Sequence, residues 1–241
     1  MIDGLYSALS AIRAGESRLA SVANNLANVN TPGYQSVRTD LATGPGGQGV
    51  VVASTSRDST SGALFQTGNP LNLAIEGDSY FQVQDAEGQT FFTQSGTFQV
   101  DAEGYLVTPE GYRLDPGIQV PAGASTVSIS SSGQVSATVG GEQQSLGQLA
   151  SVRFNNPAGL SAEGSGLFSA TAASGNPIVG DFSQPGFGRL TPGALESSNV
   201  DIAESTVDLL LTQRFIQFQT GVIRTEDDLL KELINIGRSS E

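Results

Sequence analysis

Apolar residues near the start of the chain fall at Ile2, Leu5, Leu9, Ile12, Leu19, Ala23 and Leu26, in steps of three and four except where Glu16 takes the intervening slot. This is heptad spacing, and no proline precedes Pro32, so one continuous helix is predicted. The other end repeats the pattern. Asp201 to Glu204 has the form of a capping box, in which Asp201 accepts from a first-turn amide and Glu204 reaches back. From there to Ile236 there is no proline and one interior glycine, Gly221. Apolar positions Val207, Leu211, Phe215, Phe218, Val222 and Leu229 recur mostly at three and four. A helix of roughly 36 residues would be about 54 Å long, which points to a coiled coil or bundle rather than a helix on a compact core.

Between the two ends the period changes to that of strands. "VVVAS" (50–54), "LNLAI" (71–75), "SYFQVQ" (79–84), "QTFFTQ" (89–94), "TFQVD" (97–101) and "GYLVT" (104–108) are short and bounded by turn residues. Asp-Ala-Glu-Gly occurs twice, at 85–88 and 101–104, and a type I turn followed by a left-handed glycine accounts for both. "TPEGYR" (108–113) predicts a third tight turn, and 126–139 and 149–154 predict further strands. The fold class is therefore α+β: N- and C-terminal helices forming a coiled-coil-like core, with an inserted antiparallel, hairpin-rich β domain. The expected divisions are a helix and exit turn at 1–35, a connecting extended segment at 36–75, a β-rich outer domain at 76–195 and a second core helix at 196–241.

The faces of the first helix change this picture. Its charges are Asp3, Arg13, Glu16 and Arg18, and most other off-seam positions are Ala, Ser or Gly. A helix facing water carries a strongly charged face. This one lets neighbours approach from several sides, and further copies of the chain are the expected cover, in a closed ring or an open filament. Its end, "ANNLANVNTPGYQ" (23–35), places Asn24, Asn25 and Asn28 off the seam. Neutral amides suit a face that is polar yet buried against another subunit. On this reading Asn25→Asp weakens assembly more than folding, Pro32 fixes φ in the exit turn, and Gly33 takes a positive φ. Leu5, Leu9, Ile12, Leu19 and Leu26 are expected to pair with Leu211, Phe215, Phe218, Val222 and Leu229, within one chain or between neighbours. Leu211→Asp or Leu26→Asp is expected to abolish assembly and leave the β domain folded.

Composition narrows the chemistry. Charged residues are 15% of the 241, the net charge is −13, and there is neither Cys nor His. The acidic balance argues against nucleic acid and anionic membranes as partners. The missing Cys and His remove thiol nucleophiles, Ser-His-Asp arrangements and the commonest zinc, copper and haem ligands. No cofactor or metal is expected. "GPGGQG" (44–49) matches G-x-G-x-x-G formally, but a strand follows it where a dinucleotide site needs a helix, so it reads as a loop. The acidic turns at 85–88 and 101–104 lack the calcium-loop spacing. Asp78, Asp85 and Asp101 are carboxylates of the type a glycosidase needs, without the Trp platforms usual there. No cleavable signal opens the chain and no run approaches 18 apolar residues, so by sequence alone the chain is cytosolic or exported by a route that reads no cleaved signal, and no membrane insertion is expected. The competing class is a secreted β-rich adhesin or carbohydrate-binding module on a helical stalk.

Four ordered blocks carry a family resemblance: "ANNLANVNTPGYQ" (23–35), "LNLAIEGDSYFQV" (71–83), "FFTQSGTFQVDAEGYLVTPEGYRL" (91–114) and residues 193–236, beginning "GALESSNVDIAE". Together they resemble the bacterial flagellar basal-body rod proteins, the axial family shared with the hook, nearly end to end. The last third is most similar to the distal-rod branch; a short 36–65 segment keeps the proximal rod as the alternative within the family. The resemblance implies a non-enzymatic subunit of a hollow helical tube that transmits motor torque to the hook and forms the export channel. It implies partners in copies of itself, other rod proteins, the hook protein and the flagellar export apparatus, with the L- and P-ring proteins as further candidates. The implied location is the periplasm-spanning basal-body rod.

Overall fold

The computed structural model describes residues 2–238. Helices α1 (Ile2–Ala27) and α2 (Ile202–Arg238) frame the chain. Between them lie β1 (Val37–Thr43), β2 (Val50–Arg57), β3 (Leu64–Gln66), β4 (Leu73–Glu76), β5 (Ser79–Gln84), β6 (Thr90–Thr93), β7 (Gln99–Val100), β8 (Leu106–Val107), β9 (Arg113–Leu114), β10 (Ala124–Ile129), β11 (Gln134–Val139), β12 (Glu142–Gln148), β13 (Ser151–Arg153), β14 (Ser161–Gly164), β15 (Leu167–Ser169), β16 (Ile178–Gly180), β17 (Arg189–Pro192) and β18 (Ala194–Glu196). Their pairings are all antiparallel. The α+β class and the helix, antiparallel β, helix order hold. The elements fall into two compact units. A helical unit combines α1, α2 and Ser36–Asp58; a β unit comprises Asn30–Gln35 and Ser59–Asn199.

In the helical unit α1 and α2 run antiparallel. Arg18 Nη2 donates to both carboxylate oxygens of Asp208 at 3.0 Å, and Gly15 lies against Phe215 and Ile216. Asp201 caps α2 as expected, its Oδ1 accepting from the Ala203 and Glu204 amides at 2.7 and 3.0 Å. The glycine-rich stretch at 44–49 is the connection of the β1–β2 hairpin, which packs along α1. Serines on α1 hold it there: Ser10 Oγ accepts the Val50 amide at 3.0 Å, and the Ser21 and Thr39 hydroxyls are 2.7 Å apart.

The β unit is organised around β5. Residue alternation sends Phe81 and Val83 to one side, into a core with Leu73, Ile75, Leu106, Leu114 and Leu190. It sends Tyr80 to the other, where its ring meets Phe154 and Phe168 edge-on at 5.9 and 5.8 Å. β5 pairs with β6 along one edge and with β13 and β9 along the other. The repeated Asp-Ala-Glu-Gly turns join β5 to β6 and β7 to β8, with Gly88 and Gly104 at φ 83° and 90°. In each, the Asp side chain accepts the amide of the residue after the glycine, Gln89 or Tyr105, at 2.7 Å.

Three stretches of the β unit meet before α2 begins. Gly33, at φ 69° as its turn requires, donates its amide to the Glu196 carbonyl at 2.9 Å. The Glu196 side chain, 8% exposed, accepts the Gly62 amide at 2.7 Å. Asn199 donates its side-chain amide to Thr60 O at 2.9 Å. Gly62 is held so close that a β-carbon there would lie 1.9 Å from Ser197 O. Burial pushes the Glu196 carboxyl above the usual carboxylate range, partly opposed by the Gly62 hydrogen bond.

Candidate assembly surface

α1 presents three working faces. Gly4, Ala8, Ala11, Gly15, Arg18 and Val22, at steps of four, three, four, three and four, meet α2. Ser7, Ser10, Ala14, Ser21 and Asn25 follow the hairpin. Beside the α2 face runs the line expected to be the seam: Leu5 and Leu9 are exposed, while Ile12, Leu19 and Leu26 are half-buried. The contact with α2 is thus made one position away from the large apolar residues. Small side chains win it because they allow the two backbones to approach closely.

The asparagines divide differently from expectation. Asn25 is buried within its own chain: its Nδ2 donates to Val37 O and its Oδ1 accepts the Val37 amide, both at 2.8 Å. It therefore latches the first residue of β1 to α1, and its burial needs no second subunit. Asn24 is exposed and Asn28 half-buried, and Asn28 Nδ2 donates to Asn24 O and Oδ1 at 2.9 and 2.7 Å, closing the last turn of the helix.

α2 has two apolar faces. Leu209, Thr212, Phe215, Ile216, Val222 and Ile223 form the half-buried to buried side toward α1. Val207, Leu211, Phe218, Leu229 and Ile236 line up at the 3.6-residue period on an adjoining face, about a third of a turn round the helix, and all are exposed. Leu211 and Phe218 are 61% and 69% exposed. Of the residues expected to pair with α1, Phe215 and Val222 face it within the chain; Leu211, Phe218 and Leu229 do not. The sequence pattern had located the outward line of α2. The inward line was masked by Asp208, Thr212, Gln219 and Glu226. Most of the other large apolar side chains exposed among the described residues, Tyr6, Leu210, Leu230 and Ile234 among them, also belong to the helical unit.

Charge is segregated in the same sense. The sequence of the helical unit holds 12 acidic and 8 basic residues, that of the β unit 12 acidic residues against Arg113, Arg153 and Arg189. The formal charges are −4 and −9. The helical unit, apolar and the less strongly charged of the two, is the one on which like-charged copies meet with the weaker repulsion. Among the described residues no group of three or more acidic side chains is placed to hold a metal ion, and no helix is long and apolar enough to cross a membrane.

Comparison with known proteins identifies the family. Three family models match: flagella basal body rod protein at residues 5–35, the flagellar hook protein FlgE/F/G D1 domain at 74–137, and the flagellar basal body rod FlgEFG protein C-terminal region at 191–236. The flagellar basal-body rod protein FlgG of Agrobacterium fabrum is 37% identical over 250 residues, covering 93% of this chain and 95% of that protein. FlgG of Borreliella burgdorferi is 35% identical over 264 residues, covering 99% and 100%. The rod protein FlgF of Mesorhizobium japonicum is 30% identical over 253 residues, covering 97% and 98%.

Proposed function

Because the chain belongs to the flagellar basal-body rod protein family, and within it resembles the distal-rod FlgG branch, we propose that it works by self-association through the outward faces of α1 and α2. The chain is a structural rod subunit and not an enzyme; it is located in the basal body and assembles with other rod and hook components. Family membership sets aside the stalked binding module. The observation that carries the assembly reading is the exposed line Val207, Leu211, Phe218, Leu229 and Ile236. A fully buried Leu or Phe contributes roughly 1.5–3 kcal/mol, so covering this line supplies a driving force that a monomer leaves unused. Its complement is the Leu5, Leu9, Ile12, Leu19 and Leu26 flank of a neighbouring α1, with the exposed edge at Asn24 and Asn28 beside it.

Helices joined in this way make a coiled-coil-like core around a hollow tube. Such a tube transmits motor torque to the hook and passes exported subunits. The subunit itself leaves the cell through the flagellar export apparatus without a cleaved signal, and the L- and P-ring proteins surround its outer face. The test is Leu211→Asp and Phe218→Asp, each followed by sedimentation and electron microscopy. Both side chains are exposed, so the expected result is a folded monomer, normal by circular dichroism, that forms no tubes. Native tubes from either variant would overturn the reading.

A further inference from the structure

β7 is the last strand of its sheet, and among the described residues β8 is the strand it pairs with. Across the turn that joins the two, the Asp101 amide donates to the Tyr105 carbonyl at 2.9 Å. Successive residues of an antiparallel pair turn their backbone groups to opposite edges, so the Val100 N–H and C=O point away from β8 to the open edge. The Val100 side chain is exposed as well, as are Leu64, Phe65 and Val179 in the β unit. Val100 lines a groove of about 690 Å³, within the range of about 300–1,000 Å³ usual for ligand sites. Val120 and Val127 complete its apolar lining, and Val127 belongs to β10, the last strand of a second sheet. The Asp101–Gly104 turn forms a wall that is pinned from behind. The Val120 amide donates to Gly104 O and Gln119 Nε2 donates to Glu103 O, both at 2.8 Å. A β-carbon at Gly104 would lie 2.6 Å from Val120 O, so the two segments are in close contact. The groove is thus built before anything enters it.

We propose that this groove binds an extended segment of another protein, of alternating apolar and basic residues, which adds to β7 as an antiparallel strand. An apolar residue opposite Val100 exchanges both backbone hydrogen bonds with it and rests its side chain on the same face. The next residue stands opposite Asp101 and shares the other face, where charge decides its type. Asp101 and Glu103 both line the groove. Asp101 uses Oδ1 to accept the Tyr105 amide at 2.7 Å, which leaves its second oxygen. The Glu103 side chain is exposed and has no hydrogen bond or ion pair among the described residues. Lys or Arg therefore complements this position, in a β unit whose formal charge is −9. The same charge disfavours a second β unit as the occupant, along with anionic lipid and nucleic acid.

The test titrates the full-length chain into a fluorescein-labelled Lys-Val-Lys-Val-Lys-amide peptide and reads fluorescence anisotropy. Saturable binding is expected. It should be about tenfold or more weaker for the Glu-Val-Glu-Val-Glu peptide. A Lys-Val peptide N-methylated at both valines keeps its charge but loses the donors aimed at β7, and should weaken by a similar factor. Val100→Pro removes an N–H that faces outward, a change edge strands tolerate, and should weaken binding about tenfold with an unchanged circular dichroism spectrum. Glu103→Lys, on an exposed turn, should weaken it about threefold or more. No saturable binding, equal binding of the acidic peptide, or undiminished binding by both variants would overturn the proposal. Undiminished binding of the N-methylated peptide would overturn strand addition and leave a cation site only. The peptide comparisons use the unaltered chain, so they decide the matter even where a variant misfolds. The proposal does not rest on self-association, and its failure leaves that reading intact.

Discussion

At the scale of single residues, two buried polar groups explain local order better than any apolar contact. Asn25 makes two hydrogen bonds to one residue of β1, so Asn25→Ala leaves the Val37 amide and carbonyl unpaired. Each orphaned buried group costs about 1–3 kcal/mol. Asn25→Asp keeps the acceptor but sets a carboxylate oxygen against Val37 O. Both variants are expected to loosen the hairpin from α1 in the monomer, seen as faster amide exchange at Val37–Thr43, and so to act on folding as well as assembly. Glu196 behaves in the opposite sense to an ion-paired acid. Burial raises its folded pKa above the unfolded value, so its contribution to stability is most favourable at acid pH and is lost as pH rises through the raised value. Glu196→Gln preserves an acceptor for Gly62 without the charge. The variant is expected to melt higher than the parent at pH 7 and to match it at pH 3, by thermal unfolding at the two pH values. A parent that is relatively more stable at pH 7 would contradict this account.

At the scale of elements, the small-residue face of α1 decides how the helical unit packs. A β-carbon at Gly15 would sit 3.0 Å from Ile216 Cγ1 and 3.3 Å from Phe215 Cδ1. Gly15→Leu adds three more carbons at that contact, and overpacking of this kind costs typically about 1–3 kcal/mol. Separation of α1 from α2 is the expected outcome, measured as protease access at Arg18 while the β unit melts unchanged. This contact also marks where the sequence stops being legible. Both helices, the Asp201 cap, the Gly33 turn and the Asp-Ala-Glu-Gly hairpins follow from local rules of spacing and turn chemistry. The facing of α1 does not, because Ala8, Ala11 and Gly15 carry little hydrophobic signal, whereas Leu5, Leu9 and Ile12 dominate any periodic reading. The pairing of residues 36–57 with α1 was equally hidden. It is held by serine and asparagine side chains, which in sequence look like solvent-facing positions. The outward line of α2 was legible because nothing in the chain competes for Leu211 and Phe218.

At the scale of the whole molecule, the two units differ in what they need from a neighbour. The β unit encloses its own cores, with Phe81, Val83 and Val152 fully buried. In the helical unit Leu211, Phe218 and Leu229 stay exposed, and its sheet is a single two-stranded hairpin, which is marginal by itself in water. Local opening concentrates where few apolar groups are buried, so in a dilute monomer the helical unit should open first. Trypsin reads this directly from the placement of arginines. Arg13, Arg18, Arg38 and Arg57 precede the long β segment, and Arg214 and Arg224 follow it. Limited digestion is expected to leave a core from Asp58 to Arg214, by intact mass, in which Arg113, Arg153 and Arg189 stay uncut within the folded β unit. Assembled protein should resist cleavage at Arg18 and Arg214, because both lie on helices whose free faces are then covered. Equal resistance of dilute monomer and assembly at these two sites would mean that the helices are as stable alone as together, and would remove the reason for their uncovered apolar faces to drive assembly.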